Sequence, residues 1–278
     1  MVGGVDALGG LLDLRVRRPP NPPSCSPDGE AVERWHDREG RLAGYGDAKE
    51  GWLHLLGVGT FTFGRGKIEL SAQSGVALDA INDAHRRLAL PLVLAALGHE
   101  VLHGSAVLMP AGVVALCAMS GAGKSTLAYG FTRRGLPPVA DDAVALDSSG
   151  GTPVLVPLPF ALRLRSPSRA YFSVNGELVT HPERPRERSP LAAICTIERD
   201  GATGPRVVGL SPTESFPAVL AHAYSFGLAD AARRRRMVDA YLKLASSVPV
   251  FRVTVPDDLD SLDATLDAIE RAVAAAGS

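Results

Sequence analysis

Aromatic residues are scarce in this chain of 278 residues: Phe, Trp and Tyr make up 5% of it. A stacking surface for single-stranded nucleic acid needs a series of aromatic platforms, so the composition argues against that class of ligand. An excess of charge of one sign is also missing. Lys and Arg number 29 against 30 Asp and Glu, a formal net charge of −1. Such a balance gives no general pull towards nucleic acid or anionic membrane, and any anion site must be local. Cysteine is sparse: Cys25, Cys117 and Cys195 lie far apart without a CxxC pair, a number and spacing that do not suggest a disulfide framework. Cys117 and Cys195 sit in apolar runs and are expected as buried thiols. The compartment expected from this is reducing, hence cytoplasmic. Long apolar runs are absent too. The most apolar one, Leu88 to Leu97, contains Pro91 and is about half the length of a membrane span. The first residues lack the basic start and apolar stretch of a signal peptide.

What remains is ordinary globular composition, 46% hydrophobic and 21% charged, enough for one or two domains. Residues 18–30 are rich in Pro and Ser and read as an irregular loop. Between 31 and 72, short alternating runs broken by Gly57, Gly59, Gly64 and Gly66 suggest a small antiparallel β subdomain. A helical stretch follows from about 77 to 99. Ser105–Met109 and Val113–Cys117 read as strands, and Ser125–Arg134 as a helix stopped by Gly135. Val139–Leu146 reads as one further strand carrying two aspartates. Strand patterns continue at 153–158, 161–164, 191–197 and 250–255. Helices are expected from the capping box at Ser211, over about 228–246, and from Asp257-Asp258 onward. The division expected is a β-rich subdomain at 1–84 and a larger α/β domain at 85–278.

The strongest chemical signal is Ala118-Met-Ser-Gly-Ala-Gly-Lys-Ser125. Gly121, Gly123, Lys124 and Ser125 match the end of the phosphate-binding pattern GxxxxGK[ST]. Glycines let main-chain N–H groups converge on an anion without Cβ clashes, and the helix that follows adds its positive end. Lys124 is placed to reach the outer phosphates and the Ser125 hydroxyl to ligate Mg²⁺. Ser120, Ala122 and Thr126 complete the cradle. The first glycine of the pattern is Ala118 here, which requires that residue to keep a negative φ.

Two further features bear on the reaction. Asp141 and Asp142 stand in an otherwise apolar run, where adjacent carboxylates need pairing or a metal. Strand alternation would point them to opposite faces. His103-Gly104 precedes the strand that leads into the loop. Arg163 and Arg165 alternate on a strand candidate and share a face, from which they would neutralise a transferring phosphate. Four successive arginines, Arg233 to Arg236, face all round a helix and read as a solvated surface.

In combination, His103-Gly104, the loop 118–125 and Val139-Ala-Asp-Asp142 resemble the catalytic domain of HPr kinase/phosphorylase, closely over about 100–147 and loosely beyond. The resemblance implies a P-loop kinase domain of that C-terminal type, a mixed sheet with flanking helices behind the β-rich front. It implies ATP and Mg²⁺, with Lys124 on the phosphates and Ser125 and Asp142 on the metal. Asp141 would take the proton of the acceptor serine and His103 would orient that carboxylate. Two differences from the family stand out. Thr126 replaces the glutamate usual there, and the downstream Glu-x-Arg-Gly segment tied to HPr handling is missing. The layout is more similar to the shorter HPr-kinase-like proteins of lasso-peptide biosynthesis, which share Leu102-His103-Gly104-Ser105, Ser120–Leu127 and Pro256–Leu259.

The expected activity is therefore transfer of the ATP γ-phosphate to a serine of a peptide or small protein, foremost a lasso-type precursor. No nucleic acid or membrane partner is expected, and a homo-oligomer is compatible with the resemblance. The same residues would serve a kinase of a small hydroxylated metabolite, or a nucleotide-binding regulatory module that does not transfer phosphate.

Overall fold

A computed structural model of the chain describes residues 13–19, 33–36, 42–45, 51–64, 66–176, 178–179, 188–201, 204–224 and 231–277. From residue 20 onward the Pro-rich stretch 18–30, with Cys25, lies outside them. Two compact units divide the chain: residues 1–98 with 225–236, and residues 99–224 with 237–278. The helical stretch that follows the strands belongs to the first of these units.

In the first unit, β1 (Leu14–Arg17), β6 (Lys67–Ala72), β5 (Gly59–Gly64) and β4 (Gly51–Leu55) form a sheet in that order. Strands β4, β5 and β6 are antiparallel, as the glycine-broken alternation suggested, while β1 joins in parallel. Alternation is clear in β6, where Ile68, Leu70 and Ala72 are buried. A hairpin of β2 (Glu33–His36) and β3 (Leu42–Tyr45) belongs to the same unit. The helical stretch is interrupted: α1 (Leu78–Ala84) passes through a π-helical turn (His85–Ala89) into α2 (Leu90–Ala96). Pro91 is the reason, since it has no N–H for the preceding turn and its ring crowds the carbonyl four residues back.

The second unit holds a six-stranded sheet in the order β10-β8-β9-β15-β17-β16. These are β8 (Gly104–Met109), β9 (Gly112–Ala118), β10 (Pro138–Ala140), β15 (Leu191–Arg199), β16 (Arg206–Gly209) and β17 (Val250–Val255). Strands β9, β15 and β17 are parallel; β10 and β8, β8 and β9, and β16 and β17 pair antiparallel. The whole of β9 is buried, and its residues alternate between two cores. Val114, Leu116 and Ala118 pack in a cluster with α3 (Lys124–Arg133) and α7 (Leu262–Ala276). Val113, Ala115 and Cys117 pack in another with α5 (Pro212–Leu220) and the later part of α6 (Ala231–Ser247). A two-residue period with apolar side chains on both sides gives a strand covered by helices on both faces. Cys117 and Cys195 are fully buried on adjacent strands, and burial pushes both thiols up.

Two expectations from the sequence are corrected. Val139–Leu146 is not one strand. It is β10, then a corner at Asp141-Asp142, then β11 (Val144–Asp147). β11 leaves the main sheet and pairs with β7 (Glu100–Leu102) and β12 (Val154–Val156). The last helix starts at Leu262, not at Asp257. Asp258 instead accepts hydrogen bonds from the main-chain N–H and the hydroxyl of Ser261, both at 2.9 Å, just before the first turn. The capping box at Ser211 is present as read, with Glu214 accepting from the Ser211 N–H at 3.0 Å. Short β13 (Leu162–Arg163) and β14 (Leu178–Val179) flank helix α4 (Ser166–Phe172).

Helix α3 is held on α7 by close approach at Gly130, where a Cβ would stand 2.9 Å from Leu266 Cδ1. At its end Arg134 donates to Asp263, Asp267 and Glu270. Gly130→Val is expected to lower stability by about 1–3 kcal/mol through overpacking. Urea unfolding read by circular dichroism checks this; an unchanged midpoint would show that the two helices have room to spare.

Candidate functional site

The phosphate-loop sequence leaves the end of β9 and turns directly into α3. Gly121 (φ 93°) and Gly123 (φ 107°) both take the left-handed conformation that glycine alone adopts readily. Ala118 is not among the residues with positive φ: it is the buried last residue of β9, so alanine fits where the pattern has glycine. Lys124 opens the helix and is buried.

Two arginines crowd the glycines. A Cβ on Gly121 would lie 3.4 Å from Arg165 Nη1, and one on Gly123 would lie 3.3 Å from Arg199 Nη2. Arg165, just before α4, donates to Ser120 Oγ at 2.9 Å. Arg199, the last residue of β15, donates to Ala122 O at 3.3 Å and to Pro256 O and Asp257 O at 3.1 and 3.0 Å. Thr126 Oγ1 lies 2.7 Å from Ser168 Oγ, which ties α3 to α4.

The Asp141 carboxylate stands against the other side of the loop. Its Oδ1 accepts from Ser105 Oγ at 2.5 Å and from Ser125 Oγ at 3.0 Å; its Oδ2 accepts from the Arg163 N–H at 3.1 Å. The group is 7% exposed. Burial, followed by the negative charge of Asp142, pushes its pKa up to about 6, against the pull of those three hydrogen bonds. Asp142, the next residue, has φ 64° and is half-buried. Its carbonyl oxygen accepts from His103 Nδ1 at 3.0 Å and from the Tyr224 hydroxyl at 3.3 Å. A carbonyl only accepts, so Nδ1 carries the proton. Burial, then the charge of Lys124, holds His103 down at about 4. Its ring is therefore neutral at pH 7. Gly104 lets β8 lie close to β9: a Cβ there would meet the Leu116 carbonyl oxygen at 2.9 Å.

The site thus gathers Ser120, Gly121, Ala122, Gly123, Lys124, Ser125, Asp141 and Arg165 around one loop. His103 bonds the Asp142 main chain. Asp141 is the carboxylate that accepts from Ser125, and Asp142 follows it on the corner, half-buried. Arg163 contributes its main-chain N–H to Asp141, and Arg165 brings its guanidinium to Ser120 of the loop. Sequence reading missed Ser105, Arg199, His222 and Tyr224. Ser105 stood in the Leu-His-x-Ser element without a role. Arg199 carried a usable signal, since it ends a strand beside the loop strand. Tyr224, and His222, whose carbonyl accepts from the His103 N–H at 2.7 Å, arrive through a loop that no local pattern announces.

Among the described residues no cluster of three or more His, Cys, Asp or Glu gathers as a metal cage. Among the same residues no helix is long and apolar enough to cross a membrane. No family model and no curated protein matches the chain. A solved structure that does match is described as the Hpr(Ser) kinase/phosphatase from Coxiella burnetii. It is 10% identical with a TM-score of 0.34, and the match covers 62% of this chain and 89% of that one.

Asp141 and His103 act on stability in opposite senses. The folded state keeps a proton on Asp141 up to about pH 6 where the unfolded chain loses it near 3.8, so that contribution is full below 3.8 and lost as pH rises through 6. His103 is the reverse: its contribution is full above 6.5 and lost as pH falls through 4. Between pH 4 and 6 the two slopes oppose each other. Relative to wild type, Asp141→Asn is expected to gain stability with rising pH over this window and His103→Asn to lose it. Urea midpoints at pH 4.5, 5.5 and 6.5 check this; parallel profiles for all three proteins would contradict it.

Proposed function

We propose that this chain is an ATP-dependent kinase that phosphorylates a serine hydroxyl of a peptide, foremost a lasso-type precursor peptide. The observation that carries the kinase reading is the 3.0 Å hydrogen bond between Ser125 of the phosphate loop and Asp141 of the β10–β11 corner. It brings the Asp141 carboxylate, with Asp142 next in the chain, against the first turn after the loop, which supports a reading in which a phosphate held by the loop meets a carboxylate. The peptide acceptor rests on the sequence resemblance set out above.

In this reading the loop amides and the Lys124 ammonium bind the triphosphate, and Arg165 adds charge over Ser120 and Gly121. Mg²⁺, when bound, neutralises phosphate charge; Ser125 and Asp141 would hold it. Asp141 is poorly placed to collect a proton from a bulky substrate, being buried with both oxygens engaged. Asp142 is more open, and its charge is felt by both Asp141 and His103. We therefore assign the proton transfer to Asp142. The serine O–H gives its proton to that carboxylate as the oxygen bonds the γ-phosphorus. The bond to the β–γ bridging oxygen breaks, leaving ADP and phosphoserine. His103 and Tyr224 are positioning residues that pin the Asp142 main chain.

Single-turnover transfer to synthetic serine peptides, read by intact mass, tests the assignment. Asp142→Asn is expected to lose about 10²–10⁴ in rate with nucleotide affinity kept. Asp141→Asn is expected to raise the Mg²⁺ concentration needed for half-maximal rate. Lys124→Ala is expected to lose most activity through weaker phosphate contact. The converse pattern, full transfer by Asp142→Asn and none by Asp141→Asn at any Mg²⁺, would return the proton to Asp141. Phosphate appearing on small hydroxylated compounds and on no peptide would replace the acceptor class.

A further inference from the structure

Strand β7 ends the small sheet, whose order is β12-β11-β7. A side chain of α6 completes its outer edge. The Tyr241 hydroxyl accepts from the Val101 N–H at 2.9 Å and donates to the Val101 carbonyl at 2.8 Å. Val101 is fully buried and Tyr241 is 2% exposed, and main-chain groups shut away from water need partners. Burial pushes the Tyr241 hydroxyl up, so it keeps the proton that it donates. Among the described residues Val101 is the one partner of that hydroxyl.

Three links run from Val101 to the Asp142 corner. Tyr224 donates its N–H to the Val101 carbonyl at 2.8 Å and its hydroxyl to the Asp142 carbonyl at 3.3 Å. His103, just past β7, donates its main-chain N–H to the His222 carbonyl and its Nδ1–H to the Asp142 carbonyl. On the other side of β7, Val101 is paired with Ala145 of β11, which follows the corner. The left-handed φ of 64° at Asp142 persists only because its surroundings hold it. The phosphate loop, by contrast, is carried by β9 and α3.

We infer that Tyr241 is a positioning residue for phosphoryl transfer, an inference that rests on the kinase reading above. Its hydroxyl fixes β7, and β7 holds the corner that carries Asp142. The acceptor's proton has to reach the Asp142 carboxylate, whose direction follows from the main chain beneath it. Misplacement by about 1 Å at such a point costs about a hundredfold in rate. Tyr241→Phe keeps the ring in the core and takes away one oxygen, so β7 loses a donor and an acceptor together. The phosphates of the nucleotide rest on other elements, and their binding is not expected to follow.

Single-turnover transfer to serine peptides at saturating Mg-ATP is expected to fall about tenfold to a hundredfold in Tyr241→Phe. Its ATP affinity, read by calorimetry, is expected to stay within about twofold of wild type, which also shows that the variant is folded. Combining variants separates positioning from general support of the fold. With His103→Asn and Tyr224→Phe in place, both hydrogen bonds to the Asp142 carbonyl are gone, and Tyr241→Phe is expected to cost no more than about twofold further. An equal loss in both backgrounds, or ATP affinity that falls as far as the rate, would overturn the inference and leave the kinase reading standing. No transfer by wild type to any hydroxyl acceptor would instead overturn the kinase reading itself. Amide exchange of wild type, read by NMR, decides the matter if Tyr241→Phe does not fold. One opening rate shared by the Val101, His103 and Tyr224 amides is expected; amides that open separately would overturn the inference.

Discussion

One buried carboxylate ties the site together. Asp141 touches β8 through Ser105, the start of α3 through Ser125 and β13 through the Arg163 N–H. An ionised carboxylate at 7% exposure is costly unless its lone pairs are used, and here each oxygen has donors from a different part of the chain. The need to satisfy that one group therefore fixes where the corner stands against the phosphate loop. Burial, then the charge of Asp142, raises its pKa in spite of these donors.

The corner is the second constraint, and it follows from the first. Strand β10 belongs to the main sheet and β11 to the small one, so the chain must change sheets within a few residues. Asp142 takes a left-handed φ of 64° to do so, a conformation that Asp tolerates better than most residues. His103 and Tyr224 offset the strain by donating to its carbonyl. The neutral state of His103 is part of the arrangement. A protonated ring so near Lys124, in a buried setting, would be repelled, and the same burial and charge that hold it at about 4 keep Nδ1–H on Asp142 across the physiological range.

Most of the second unit's fold was legible because its signals are local. The loop glycines, the helix stop at Gly135, the capping box at Ser211 and the strand at 250–255 each depend on a few adjacent residues, and the structure shows all of them. What failed was where tertiary contact overrules local pattern. Val139–Leu146 has the composition of a strand, and only the need of two sheets to share the segment breaks it. Pro91 sat in view within a helical stretch, yet the π-helical turn that accommodates it depends on packing. The surroundings of the two aspartates were hidden for the same reason: alternation is a rule for straight strands, and a left-handed residue at Asp142 voids it. Arg199 and Tyr224 reach the site from about 75 to 85 residues along the chain from the loop and the corner, a distance that no motif spans.

The near-neutral composition finds its explanation at this loop. A chain with a net charge of −1 has no field to draw in a polyanion from afar, so the positive charge has to be arranged where it acts. Three cations stand at the loop: Lys124 at the helix start, Arg165 over Ser120 and Gly121, and Arg199 beside Gly123. They come from α3, from the start of α4 and from the end of β15, so none is contributed by a basic run of sequence. The obvious basic run, Arg233 to Arg236, lies in the other unit, where Arg233 donates to the Ala96 carbonyl at the end of α2. Convergence of charges from separate elements costs side-chain entropy for each one immobilised. It also fixes the geometry of the charges, which a basic tail leaves free: Arg165 is held on Ser120 Oγ and Arg199 on Ala122 O.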